Sequence, residues 1–180
     1  MPLIYITGIS GSGKSTVLEE LSKRGLEAHG VDEEGYADWI DRQTGEAILF
    51  PEDEQSLDIH DWYKKHRWIL SLNRISELKK RSDQDGKQII LAGSAEGEST
   101  VRHLFNKVIY LAVDEPTLKR RIAARENNLF GKHPDEMAEI LQWLKGNDEK
   151  YHKSDAYVID ANQPLNEVVS EVLGVINYER

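Results

Sequence analysis

Nine consecutive residues near the start of the chain restrict its fold more than any other feature. They read Gly8-Ile9-Ser10-Gly11-Ser12-Gly13-Lys14-Ser15-Thr16 and satisfy the pattern G-x-x-x-x-G-K-[ST]. Such a loop works in one context, with a buried strand before it and a helix after it. Residues 3–7 are a short apolar run, and Val17, Leu18 and Leu21 recur at helical spacing before Gly25. The glycines let the backbone curl and approach a ligand with no Cβ in the way. Backbone N–H groups then converge at the positive end of a helix, where an oxygen-rich anion such as a triphosphate is held. Chance coincidence of the four fixed positions in a chain of this length is on the order of 1%.

Downstream, strands are expected at 26–31, 88–92, 108–113 and 156–159. A short helix is expected around 36–41. Ile59, Trp62, Ile69, Leu72, Ile75 and Leu78 mark one face of a long helix that breaks at Asp85-Gly86. Asp114-Glu115-Pro116 opens a helix carrying Leu118, Ile122 and Arg125 and stopping near Asn127-Asn128. After a break at 131–134, Met137, Ile140, Leu141 and Leu144 mark another helix. Leu165, Val168, Val169, Val172, Leu173 and Ile176 form the stripe of the last one. Strands alternating with helices imply an α/β three-layer sandwich around a five-stranded parallel sheet. The expected strand order is 2-3-1-4-5, with ligands at the carboxyl ends. Residues 1–180 read as one domain, without repeats or linkers.

With no cysteine, disulfides and thiolate zinc sites are excluded. No apolar run approaches the roughly 20 residues of a membrane helix. The N-terminus lacks the basic region of a signal peptide, so a cytoplasmic protein is expected, with no membrane partner. The net charge of −9 is regional: from Asp32 to Asp61 there are eleven acids against one base, Arg42, and the remaining 21 acids and 22 bases nearly cancel. Nucleic-acid affinity depends on Lys and Arg neutralising phosphates, so no nucleic-acid partner is expected. A solvated, solubilising face is the simplest role for the acidic segment.

A guanine nucleotide-binding protein would carry Asn-Lys-x-Asp, and Asn106-Lys107-Val108-Ile109 fails at the last position. The strand at 88–92 ends in Gly93-Ser94, not in the magnesium-binding acid of many ATPases. An acid does stand at the end of the second strand: Asp32, eighteen residues after Lys14. Asp58, His60 and Asp61 are better explained as an acidic helix start than as metal ligands. Trp62, Trp68 and Trp143 are expected to pack, whereas Tyr36 and Trp39, following Asp32, are candidates for substrate contact.

In these features the chain resembles the small P-loop kinases of the nucleoside-monophosphate-kinase-like group, which includes adenylate, shikimate and gluconate kinases. The P-loop is followed at this distance by Val31-Asp32-Glu33-Glu34. Arg121-Ile122-Ala123-Ala124-Arg125 resembles the R-[IL]-x-x-R pattern entering the lid. The stretch from Val158 to Leu165 resembles the loop whose backbone, around Asn162, approaches the adenine. Departures are the absence of a Gly-Gly-Gly run, Asp32-x-Glu34 in place of Asp-x-Asp, and a lid offering Lys132 and His133 instead of an arginine cluster.

The resemblance implies Mg2+-dependent phosphoryl transfer from ATP to a small-molecule acceptor, by a monomer or homodimer. Gly8, Ser10, Gly11, Ser12, Gly13, Lys14, Ser15 and Thr16 would hold the triphosphate, with Ser15 and Asp32 serving Mg2+. Arg121 and Asn162 would flank the adenine. Lys14, Asp32 and Arg125 are the expected catalytic residues, with Lys132 a further cation. An acceptor wall is expected from about 33–57, including Glu34, Tyr36, Trp39 and Arg42, together with Gly93 and Ser94; a short lid is expected at about 126–134. Two other readings stay open: a nucleotide kinase using Arg42 and Lys64, Lys65 or Arg67 for an acceptor phosphate, and a regulatory ATPase driving a partner.

Overall fold

The computed structural model describes residues 2–51, 59–126 and 130–178. In chain order the first elements are β1 (Leu3–Thr7), α1 (Lys14–Lys23), β2 (Glu27–Gly30), β3 (Ala37–Asp41), β4 (Ala47–Ile48), α2 (Ile59–Lys65), β5 (His66–Leu70) and α3 (Leu72–Asp85). There follow β6 (Ile89–Ala92), α4 (Glu98–Val101), a 3-10 turn (Arg102–Leu104), β7 (Lys107–Ala112), α5 (Glu115–Ala124), α6 (Pro134–His152), β8 (Tyr157–Asp160) and α7 (Leu165–Asn177).

The parallel sheet runs β2-β6-β1-β7-β8. Counting only its own strands in chain order, this is 2-3-1-4-5; the labels differ because three further strands lie between β2 and β6. Alternation along the strands divides the core. Leu3, Tyr5, Ile89, Leu91, Val108 and Tyr110 pack with Ile75 and Leu78 of α3 and Tyr151 of α6. Ile4, Ile6, Ile90, Ile109 and Leu111 pack on the other face with Val17 and Leu21 of α1 and Val168, Val169 and Val172 of α7. These are the three layers. Each fully buried Leu or Ile contributes about 1.5–3 kcal/mol, so strands apolar on both faces are stable only under this double cover. Among the described residues no helix is long and apolar enough to cross a membrane.

Two sequence expectations are overturned between β2 and β6. The short helix around 36–41 is instead β3, and the long helix from Ile59 to Leu78 is interrupted by β5. A second, antiparallel sheet, β4-β3-β5, accounts for both. Trp39 lies opposite Trp68, and Ile40 opposite Arg67, so cross-strand pairing of bulky residues outweighs helical spacing. Ile69 and Leu72 fit a helical face by spacing alone, but Trp68, Ile69 and Leu70 are consecutive, as in a strand. Ser71 then precedes the first turn of α3.

Loops leaving the carboxyl edge stay bound to the sheet. Val31 N–H donates to Ala92 O (2.9 Å), Gly93 N–H to Ile6 O (3.0 Å) and Ala161 N–H to Ala112 O (2.7 Å). Gly93 is required by close approach: a Cβ there would lie 2.3 Å from Val31 Cβ. Gly93→Ala is therefore expected to destabilise the protein by about 1–3 kcal/mol through overpacking, read by chemical denaturation. An unchanged unfolding midpoint would show that Val31 shifts freely.

Candidate active site

The chain turns from β1 into α1 through a loop built on two left-handed glycines, Gly11 (φ +89°) and Gly13 (φ +102°), the latter capping α1. Gly8 serves by proximity, since a Cβ there would stand 2.6 Å from Ser12 Oγ and 3.0 Å from Leu111 O. A cleft of about 560 Å³ opens above this loop, large enough for a small-molecule ligand. Ser10, Gly11, Ser12, Gly13, Lys14, Ser15 and Thr16 form its floor, Asp32 and Glu33 one wall, Arg121 and Arg125 another, and Ala161, Gln163 and Leu165 its far end.

Lys14 is half-buried and folds over its own loop, Nζ donating to Gly8 O (2.8 Å) and Ile9 O (3.0 Å). Burial pulls its ammonium down to about 8, although Asp32 and Glu33 act to raise it; Arg125 lowers it further. The two carbonyls it contacts are weak partners for a cation, and phosphate oxygens are stronger ones. Among the described residues, Ser12 Oγ and Arg125 Nε are buried without a hydrogen-bond partner. Both side chains line the cleft, and unspent polar atoms there suit a highly charged ligand.

α5 delivers both arginines. Asp114 accepts from Thr117 N–H (2.8 Å), fixing the first turn and hence the phase of the helix. Arg121 donates to Ser12 O (3.1 Å) and Ala161 O (2.7 Å), joining the phosphate loop to the turn after β8. Arg125, at the carboxyl end of α5, donates to Ser10 Oγ (3.1 Å) and to Phe130 O. Burial pulls both guanidinium groups below their ordinary value, yet arginine keeps its charge in proteins. Asp32 is solvent-accessible in the cleft, where the enclosing walls push its carboxyl up; a hydrogen bond from Trp68 Nε1 (2.9 Å) acts in the opposite direction.

Other expected site residues lie apart from this cleft. Asn162 Oδ1 accepts from Asp114 N–H (3.0 Å) and Asn162 Nδ2 donates to Asp160 (2.7 Å), so its side chain braces the turn while Ala161 and Gln163 border the cleft. Glu34 turns back to His29 (2.6 Å) and Gly30 N–H (3.2 Å), and Tyr36 packs edge-on to His29. Arg42 faces Glu96 (3.6 Å). Trp39 is at the centre of an aromatic group with Phe50, Trp62, Tyr63 and Trp68, at centroid separations of 5.2–5.7 Å. Gly93 O accepts from Tyr5 OH (3.1 Å), and Ser94 is half-buried beside it. Lys132 borders a separate depression with Lys119 and Met137. Within the expected acceptor wall and lid, residues 52–57 and 127–129 lie outside the described residues, as does Asp58.

Gln163 and Leu165 belong to the stretch from Val158 to Leu165 marked by the resemblance, although Asn162 alone was singled out there; Trp68 packs as expected, and its bond to Asp32 was hidden by the helical reading of its segment. For a divalent cation, the donors in reach are oxygens: the exposed Ser15 hydroxyl and the carboxylates of Asp32 and Glu33. That set fits Mg2+, which takes few protein ligands and shares phosphate oxygens. Among the described residues no group of three or more His, Asp or Glu forms a self-sufficient metal site.

A family model described as an AAA domain matches residues 4–142. Solved structures of the same fold include a sugar kinase from Janibacter sp. (19% identity, 99% of each chain, TM-score 0.58). A shikimate kinase from Acinetobacter baumannii in complex with shikimate is 22% identical over 98% of this chain and 93% of that one, with a TM-score of 0.62. A deoxyadenosine kinase from M. mycoides with bound dATP is 18% identical over 98% and 100%, with a TM-score of 0.55. At these identities the likeness is one of fold. No curated protein matches the sequence.

Lys14→Ala removes the cation that lies on the loop without removing core packing. ATP binding, followed by calorimetry, is expected to weaken at least ~10-fold while the thermal unfolding curve stays in place. Unchanged affinity would show that the loop holds no triphosphate.

Proposed function

We infer the activity of this chain from the premise that it belongs to the AAA domain family. It is an ATP-dependent small-molecule kinase that moves the γ-phosphoryl group of ATP to an acceptor hydroxyl. The observation carrying this reading is the convergence of Lys14, Asp32, Arg121 and Arg125 on one cleft above the loop. A phosphoryl transfer site needs cations on the transferring group and an acid near the nucleophile, and these residues supply both.

The loop amides and Lys14 hold the β- and γ-phosphates, Lys14 exchanging its two carbonyl partners for phosphate oxygens. Arg121 secures the turn at 161–163 against the loop, which fixes the end of the cleft where the base lies. Arg125, bonded to Ser10 and to Phe130 O, stabilises charge on the transferring group. Ser15 and Asp32 would hold Mg2+, which would supply neutralisation of phosphate charge. Asp32 orients the acceptor hydroxyl and takes its proton. Water otherwise competes as acceptor, so the reaction requires that the cleft exclude it once both ligands are bound.

The charges around the second sheet favour a neutral or cationic acceptor over a nucleotide or an organic acid. Arg67 binds Glu96 (2.8 Å), Arg42 faces the same carboxylate, Lys65 binds Asp61 (2.6 Å), and Arg74 binds Asp38. An anionic acceptor drawing on these four bases would have to break their pairs, at a cost of several kcal/mol when buried, which leaves exposed Lys64 as the base outside them. A screen of ATP turnover against nucleosides, sugars, amino-alcohols, nucleotides and carboxylic acids tests this. The best acceptor is expected to lack negative charge; preference for a nucleotide, with a sharp KM increase in Arg42→Ala, would overturn it. Asp32→Asn is expected to lower kcat by about 10²–10⁴-fold with little change in KM for ATP, and an unchanged kcat would remove Asp32 from the reaction.

A further inference from the structure

The turn that carries Asp32 is fixed in its backbone by Glu34 N–H on Gly30 O (3.1 Å) and Tyr36 N–H on Val31 O (2.9 Å). Those bonds leave the Asp32 side chain free to rotate. The contact that restrains it comes from the second sheet, thirty-six residues later, where Trp68 Nε1–H donates to Asp32 Oδ1 at 2.9 Å. An indole has one donor and no acceptor, so this bond is its whole hydrogen-bonding capacity.

The donor itself is held firmly. Trp68 stands opposite Trp39 in the β3–β5 pair, and the two rings are 5.2 Å apart. Its ring packs against the core on one face of the parallel sheet. The backbone is pinned by Glu96 N–H on Trp68 O (2.8 Å) and Leu70 N–H on Glu96 O (3.0 Å). Among the described contacts, Asp32 Oδ2 receives no protein donor.

We propose that Trp68 is a positioning residue: its indole N–H holds Oδ1 of Asp32 so that Oδ2 is presented to the cleft. This rests on the role given to Asp32 above. The second sheet is thereby more than a wall, because its β3–β5 pair sets the geometry of an acid in the parallel sheet's cleft. A phenylalanine would keep an aromatic ring against Trp39 and the core, with less packing. The hydrogen bond would be lost.

Two measurements test this. In protein carrying 15N-tryptophan, four indole signals arise from the four tryptophans, and the Trp68 signal is assigned by its loss in Trp68→Phe. It is expected to move upfield in Asp32→Ala, as a donor released from a carboxylate does. Kinetics are then measured with Mg-ATP and the best acceptor of the screen, and with Mg-ATP alone, water being the acceptor. Trp68→Phe is expected to lower kcat ~10-fold with KM for ATP changed less than about twofold, and to have no further effect in the Asp32→Ala background. Wild-type kcat in Trp68→Phe, its full effect persisting in Asp32→Ala, or an indole signal indifferent to Asp32→Ala would each overturn the proposal. If Asp32→Ala is impaired and Trp68→Phe is not, Trp68 alone loses its role. If Asp32→Ala turns over normally, the reading of Asp32 fails and that of Trp68 with it.

Discussion

Hydrogen bonding of β1 on both edges, together with burial of both its faces, is the constraint on which the rest of the molecule depends. Leu3 to Thr7 has no exposed side, so its register against β6 and β7 is fixed by two ladders and two cores at once. The phosphate loop is the direct continuation of that strand and inherits its position. Neighbouring loops are held to the same edge by Gly93 N–H on Ile6 O and Ala161 N–H on Ala112 O. Arg121 then closes the arrangement, since one guanidinium spans Ser12 O and Ala161 O. The cleft is thus an outcome of sheet register, with side chains added at places the backbone has already fixed.

This explains which parts of the molecule were readable from residues alone. The loop, the cap at Asp114 and the apolar stripe of α7 are local patterns, in which neighbours in sequence determine the outcome. The strands at 37–41 and 66–70 are different. Each is too short and polar to declare itself, and each exists because the other is opposite it, Trp39 against Trp68. Information of that kind resides in a pair of segments. The same limit applies to the cleft: Lys14 followed from the loop motif, Asp32 from its place at a strand end, and Arg121 and Arg125 from the family resemblance, whereas Trp68 reaches Asp32 only through the second sheet. Glu34 and Arg42 were expected at the acceptor wall, and their side chains are engaged by His29 and Glu96.

Charge in the second sheet follows a related logic. Most of its ion pairs are solvent-exposed, and such pairs contribute about 0–1 kcal/mol each, so they hardly explain its stability. The aromatic group around Trp39 does that more effectively, with ring pairs worth about 0.5–1.5 kcal/mol beyond their burial. The pairs matter in another way: they tie Arg42, Lys65, Arg67 and Arg74 to carboxylates, so that these bases are already engaged. Tyr63 carries the aromatic group towards Phe130 (5.4 Å), whose carbonyl accepts from Arg125. A ring contact therefore connects the second sheet to the arginine beside the phosphate loop.

The second sheet is spliced into the chain between β2 and β6, which are adjacent, parallel strands of the main sheet. Its departure point is held by Val31 N–H on Ala92 O, and the chain returns at α3, whose Ile75 and Leu78 are buried in the core. Lengthening such an excursion is cheap, since doubling a loop costs only about 0.6 kcal/mol in closure entropy. Insertions in the turns between its strands are therefore tolerable in free energy as long as Trp68 keeps its place beside Asp32.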